Sequence, residues 1–260
     1  MDVRQPCPTT GRLPASLKVK YGAAALLGRF FLAADTAARD LGVTLHFASL
    51  DDLIAANEAN RETWRPLMPI FNPSLGGATE NCAFAILGRN GAGEVVATQA
   101  ARFYEWDATS FDAEATTLRM FFADPQAARE RGDSCVVTAP SASKISGRVV
   151  FSGGGWYRPD FRGRGLATII PRISRAFAYT HWRTDFTISM MADAVIAGGM
   201  ADRTGYTNVE YSSVDFCLAP LGAVRCAFVW METAQLFSDL EATLDALTAP
   251  VAERPAVAVP

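Results

Sequence analysis

The sequence predicts a mixed α/β fold, a central sheet with helices packed against it. Three observations carry that prediction. Short apolar, β-prone runs are bounded by turn residues, other stretches repeat apolar residues at helical spacing, and residues 158–167 join a run of the first kind to a stretch of the second through two glycines.

In chain order, residues 21–34 are rich in Ala, Leu and Phe and follow Lys18 and Lys20. Arg29 interrupts them, and the run falls short of the ~20 residues of a membrane span, so neither a targeting segment nor a span is expected. Leu26, Leu27, Phe30, Phe31, Ala34, Ala37, Ala38 and Leu41 fall at helical spacing, with Gly42 placed to cap the helix. Val43, Leu45 and Phe47 alternate as a first strand. Ser49 stands three residues before Asp52, a capping arrangement that opens a helix to about residue 60. Pro66, Pro69 and Pro73 then break the chain into turns.

Residues 82–88 and 94–105 read as two strands joined by the hairpin loop 89–93. From 106 to 145 the pattern loosens into a helix at 112–122, a charged turn at 130–133 and a Ser-rich loop. Residues 147–157 read as a strand interrupted by Gly153, Gly154 and Gly155, which predicts a bulge or a close backbone approach. The next helix carries Leu166, Ile169, Ile170, Ile173 and Phe177 on one stripe, and Pro171 is expected to kink it or to shift its regular part downstream. A strand at 185–190, a helix at 193–203, strands at 206–218 and 224–232, and a last helix with Leu236, Phe237, Leu240, Leu244 and Leu247 complete the reading. The expected organisation is an N-terminal extension (1–20), a single domain (21–247, core about 43–232, insertion 106–145) and a disordered tail (248–260) with too little to bury.

The composition narrows the function. At 260 residues, 50% apolar and 20% charged, the chain suits one large domain. A net charge of -3 gives no reason to expect a nucleic-acid or anionic-membrane partner. Of 24 basic residues only Lys18, Lys20 and Lys144 are lysines, a usage that fits a GC-rich, bacterial genome. Cys7, Cys82, Cys135, Cys217 and Cys226 are scattered and odd in number, which reads as buried thiols in a reducing, cytoplasmic setting. His46 and His181 lack ligand spacing, so no metal is expected.

The junction Arg158-Pro159-Asp160-Phe161-Arg162-Gly163-Arg164-Gly165-Leu166-Ala167 is the strongest functional signal. Glycines allow a tight turn and a close ligand approach, and the first N–H groups of the following helix have no partner within it. Such a helix start favours phosphate. The run Arg162, Gly163, Arg164, Gly165, Leu166, Ala167 resembles the coenzyme-binding motif of the GNAT superfamily of N-acyltransferases, which is Arg or Gln, two residues, Gly, one residue, then Gly or Ala. Pro159, Asp160 and Phe161 precede it as they often do in that family, and Gly205-Tyr206 stands where the family places a Gly-Phe or Gly-Tyr at a helix end.

The resemblance implies a GNAT-like, mostly antiparallel sheet over about 43–232, with extra helices at both ends. It also implies acyl-CoA (acetyl-CoA) as co-substrate, no metal, and transfer of an acetyl group to a small-molecule or peptide amine by direct attack. It implies that the bulged fourth strand pairs with the pantetheine arm. Backbone N–H groups of residues 163–167 would hold the pyrophosphate, Arg162 and Arg164 would add charge, and Tyr157 would stand at the strand end. A homodimer stays open. In the family a tyrosine four residues before the glycine of Gly-Tyr often protonates the thiolate, and an asparagine seven residues earlier accompanies it. Here those positions are Ala201 and Ala194. Ser189 and Glu105, at the ends of the fifth and third strands, are the substitutes the sequence offers, with Asp193 and Asp107 beside them. The alternatives are a non-catalytic acyl-CoA sensor, motivated by those two alanines, and a nucleic-acid surface made by Arg158, Arg162, Arg164, Arg172, Arg175 and Arg183. Residues of the 106–145 insertion, with Trp64, Met68 and Phe71, are expected to shape the acceptor pocket.

Overall fold

The computed structural model describes residues 12–219 and 221–249. Eight strands form one sheet: β1 (Thr44–Ala48), β2 (Ala83–Arg89), β3 (Val95–Trp106), β4 (Ser134–Val137), β5 (Gly147–Tyr157), β6 (Phe186–Ala192), β7 (Asn208–Leu218) and β8 (Gly222–Glu232). The helices are α1 (Ala24–Asp40), α2 (Leu50–Ala59), α3 (Pro73–Gly76), α4 (Phe111–Thr116), α5 (Pro125–Glu130), α6 (Leu166–Trp182), α7 (Asp193–Ala197), α8 (Met200–Thr204) and α9 (Thr233–Thr248). The sheet runs β1-β2-β3-β5-β6-β8-β7-β4, and every neighbouring pair is antiparallel except β5 and β6. The mixed, mostly antiparallel architecture is the expected one, and outside 106–145 and 193–203 the elements follow the expected order.

Alternation along the strands divides the apolar side chains between two faces. On β8, Ala227, Val229 and Met231 join Leu27, Phe30, Ile169, Ile173 and Leu240 in the layer under α1, α6 and α9, while Phe228 joins the opposite layer with α2 and α4. There Phe111 stacks on Phe228 at 4.3 Å, and Phe121 meets Phe216 at a tilt with ring centroids 4.4 Å apart. The insertion therefore serves as a lid on the core. Ser49 opens α2 as expected: the Asp52 N–H donates to Ser49 Oγ at 3.0 Å and the Ser49 N–H to Asp52 Oδ2 at 3.2 Å, a capping box that contributes about 1 kcal/mol.

Four expectations change. The helix expected at 112–122 ends at Thr116, because Leu118 adopts φ 64. The charged turn is present, but α5, started by the Asp124 cap and Pro125, stands before it, and β4, a four-residue edge strand too short to show a period, stands between it and the Ser-rich loop. The helix expected at 193–203 is two pieces, broken at Gly198 and by Gly199 with φ 75. Pro171, in contrast, lies inside a continuous α6 that begins at Leu166, so the regular part is not displaced. The tail from residue 250, residues 1–11 and Cys7 lie outside the described residues.

Candidate functional site

The parallel pair β5–β6 holds together for only three residue pairs, Val149–Phe186, Val150–Thr187 and Phe151–Ile188. Beyond it the strands part, leaving Ser152 and Ser189 at the apex, both buried. The cause is local. Thr98 pairs with Trp156 and Ala100 with Gly153, so β5 spends one residue more than β3 over this interval, a bulge at the glycines. Thr98 Oγ1 donates to the Gly154 carbonyl at 2.8 Å and fixes it. A Cβ on Gly153 would lie 2.7 Å from the Phe151 ring, and one on Gly154, whose φ is +63, 3.1 Å from Ala100 Cβ. Bulged away from its neighbour, β5 leaves a cavity of about 350 Å³ between itself and β6, floored by Pro171 and Arg175 of α6.

One end of this cleft is the loop between β5 and α6. Gly163 and Gly165 take φ 73 and 90, the left-handed region that glycine adopts without strain. A Cβ on Gly163 would meet nothing within 4 Å, and one on Gly165 only Leu41 Cδ1 at 4.0 Å, so space outside the loop is open. Among the described residues, the N–H groups of Gly163, Arg164, Gly165, Leu166 and Ala167 donate to no backbone acceptor. They stand at the positive end of a 17-residue helix. Arg158 braces the loop: it bonds Asp160 at 2.7 Å and Glu94 at 2.8 Å, and holds both carboxyls below the usual carboxylate range. Arg164 is exposed and lies over Phe161 at 4.4 Å. Arg162 donates from Nε to the Tyr157 carbonyl at 3.0 Å and lines the cavity mouth.

The other end is buried and charged. Arg172 grips Asp239 through Nε and Nη2 at 2.9 and 2.8 Å, and its Nη1 donates to the Thr168 and Arg203 carbonyls, each at 2.7 Å. Burial lowers its pKa and the Asp239 carboxylate opposes that fall. Arg175 is fully buried; its Nη2 donates to the Thr204 carbonyl and reaches Asp239 at 3.3 Å, while Nε and Nη1 have no partner. The Gly205-Tyr206 motif belongs to this cluster. Gly205 has φ +83, and a Cβ there would overlap both Asp239 and Arg172. The Tyr206 ring lies 4.9 Å from the Arg175 guanidinium. The Tyr157 and Tyr206 hydroxyls are buried without a partner of good geometry; burial raises both pKa values, and the Arg175 charge opposes the rise.

Of the residues expected from sequence, Tyr157, Arg162 and Ser189 line the cavity, and residues 163–167 follow Arg162 in the loop between β5 and α6. Glu105 is not brought there. It lies opposite Arg148, 3.8 Å from its guanidinium, because antiparallel pairing sets the end of β3 against the start of β5, away from the bulge. Asp193 accepts from Ser212 at 2.8 Å, and Ala201 is buried in the α6-side core. Met68 lines the cavity; no residue of the 106–145 insertion does, because that segment packs on the opposite core. The arginine-rich stretch makes no common surface, since Arg172 and Arg175 are buried and Arg158 is ion-paired. Among the described residues no group of three or more His, Cys, Asp or Glu could hold a metal, and no helix is long and apolar enough to cross a membrane. Burial pushes the Cys135 thiol up to about 12 and Cys226 to about 11.

Sequence reasoning missed Arg175, the Arg172–Asp239 pair and the inward face of Tyr206. A signal existed: Arg172 and Arg175 sit among Ile169, Ile170 and Ile173, on the side of the helix that must be buried.

No protein-family model and no curated protein matches the chain. Solved structures similar to it include the aminoglycoside acetyltransferase AAC(6')-Ib in complex with coenzyme A and kanamycin, at 12% identity, with 74% of this chain and 96% of that one covered and a TM-score of 0.41. Mycobacterium smegmatis RimJ in complex with CoA-disulfide is similar at 13% identity over 77% and 88%, with a TM-score of 0.43. A chimera of spermidine N-acetyltransferase SpeG from Vibrio cholerae and hSSAT is similar at 10% identity over 75% and 98%, with a TM-score of 0.42. At these identities and overlaps no activity is carried over from them.

Proposed function

We propose that the chain is a GNAT-type N-acyltransferase that moves an acyl group from acyl-coenzyme A to an amine. One observation supports this above the others: a phosphate-type loop opens directly onto a cleft between two parallel strands, one of them bulged, and the sequence motif of the family falls on that loop. The free N–H groups of residues 163–167 suit the pyrophosphate, with Arg162 and Arg164 beside it. The parted edges of β5 and β6 offer backbone groups to an amide-bearing arm.

In this reading the acceptor nitrogen attacks the thioester carbonyl, the carbon–sulfur bond breaks, and the thiolate leaves with a proton while the nitrogen loses one. The products are an amide and free coenzyme A. Among the described residues no Asp, Glu or His lines the cavity, and in this reading the ammonium proton of the acceptor passes to water. Tyr157 and Tyr206, kept neutral by burial, are the hydroxyl donors available to the leaving sulfur beside Ser189. Incubation with acetyl-coenzyme A and a panel of amines tests the proposal: protein-dependent release of free thiol is expected with at least one amine. Saturable coenzyme binding with no release from any acyl donor would favour the sensing role that Ala201 and Ala194 leave open.

A further inference from the structure

The described residues contain few buried side-chain atoms without a hydrogen-bond partner, and five of them, Trp156 Nε1, Arg175 Nε, Arg175 Nη1, Tyr157 Oη and Tyr206 Oη, belong to residues that line one cavity. Charge sharpens the point. Two buried guanidiniums, Arg172 and Arg175, share the single carboxylate of Asp239, and Arg172 occupies both of its oxygens. The cluster therefore carries one uncompensated positive charge against the cavity, whose other charged lining residue is Arg162. A buried charge left unpaired is strongly unfavourable, and neutral contacts satisfy its hydrogen bonds but not its charge. An anionic occupant resolves both.

Position along the helix identifies which anion. Arg175 lies nine residues beyond Leu166 on α6, about 14 Å from the phosphate loop at 1.5 Å per residue. It is thus separated from the pyrophosphate end and shares its cavity with Ser189 and Ser152, at the apex where the strands part. If the coenzyme reading holds, on which this inference rests, the loop takes the phosphates and the interior end takes what the thiol carries. We propose that the acyl group transferred by this protein ends in a carboxylate held by the buried Arg175 guanidinium. A carboxylate on the acceptor is the other source of the same chemistry; Arg175 stands on the helix that starts at the phosphate loop, which assigns it to the coenzyme side.

The test is titration calorimetry of the purified chain with acetyl-coenzyme A and succinyl-coenzyme A. The wild type is expected to bind the succinyl thioester at least tenfold more tightly, and Arg175→Met to reduce that advantage to twofold or less while retaining acetyl-coenzyme A. Equal affinities, or tighter binding of the acetyl thioester, would overturn the inference and leave the coenzyme reading intact, also if carboxylate-bearing amines then prove the better acceptors. Binding of neither thioester would overturn both. The wild-type comparison decides alone if Arg175→Met does not fold.

Discussion

The two ends of the cleft along α6 are built on opposite plans. The outer end is backbone: glycines at positive φ, a helix start and N–H groups facing open space, with exposed arginines around them. The inner end is side chain: two buried arginines, one carboxylate and two tyrosines whose hydroxyls are buried. The difference teaches where specificity can reside. A backbone cradle takes any phosphate of the right shape, whereas a buried charge selects the chemistry of the group it touches.

Asp239→Ala strikes the inner end hardest. It strands two buried guanidiniums, and a loss of about 3–5 kcal/mol in folding stability is expected, read as a lowered midpoint in urea. Unchanged stability would show that the cluster is hydrated rather than buried. Gly165→Asp strikes the outer end and is expected to weaken coenzyme A binding by about a hundredfold through charge repulsion, while a left-handed Asp costs stability only about 1–2 kcal/mol. Paired, these two variants separate a fold-holding end from a ligand-holding one.

Tyr206→Phe and Tyr157→Phe are expected to leave coenzyme binding within a few-fold and to lower turnover by about tenfold to a hundredfold for whichever hydroxyl serves the thiolate. The pH dependence follows from the lining. With no carboxylate or imidazole of the described residues in the cavity, the reactive species is the neutral amine, so turnover per unit of acceptor rises with pH towards the amine pKa, about 10.4 for a lysine-like acceptor. The tyrosines, raised by burial, stay protonated across that range and impose no fall at neutral pH. A plateau beginning near pH 6–7 would point to a side-chain base instead. The smallest effect belongs to Glu105→Gln, expected to change turnover less than twofold because Glu105 lies by Arg148 at the far end of β3.

The contrast between the ends also explains what was legible in the sequence. Gly163, Gly165 and the bulge glycines 153–155 announce themselves, because positive φ and crowding admit little else and the chain marks them locally. The same holds for the Ser49–Asp52 box and the strand limits of β5. Arg175 announces nothing. Its partners Thr204, Tyr206 and Asp239 come from 29 or more residues away, and only the packing of α8 and α9 on α6 brings them together. The position of Glu105 outside the cavity has a related cause: its place at a strand end was legible, but which end of the sheet holds the cleft depends on the antiparallel pairing of β3 with β5. The edge strand β4 escaped because four residues cannot display a period of two.

The most direct test of the central claim is a calorimetric titration of coenzyme A and acetyl-coenzyme A into the wild-type chain and into Gly165→Asp. Saturable one-site binding by the wild type, weakened about a hundredfold in a variant that still unfolds cooperatively, is the predicted result. A well-folded wild type that binds neither ligand, or a variant that binds both as tightly as the wild type, would contradict it.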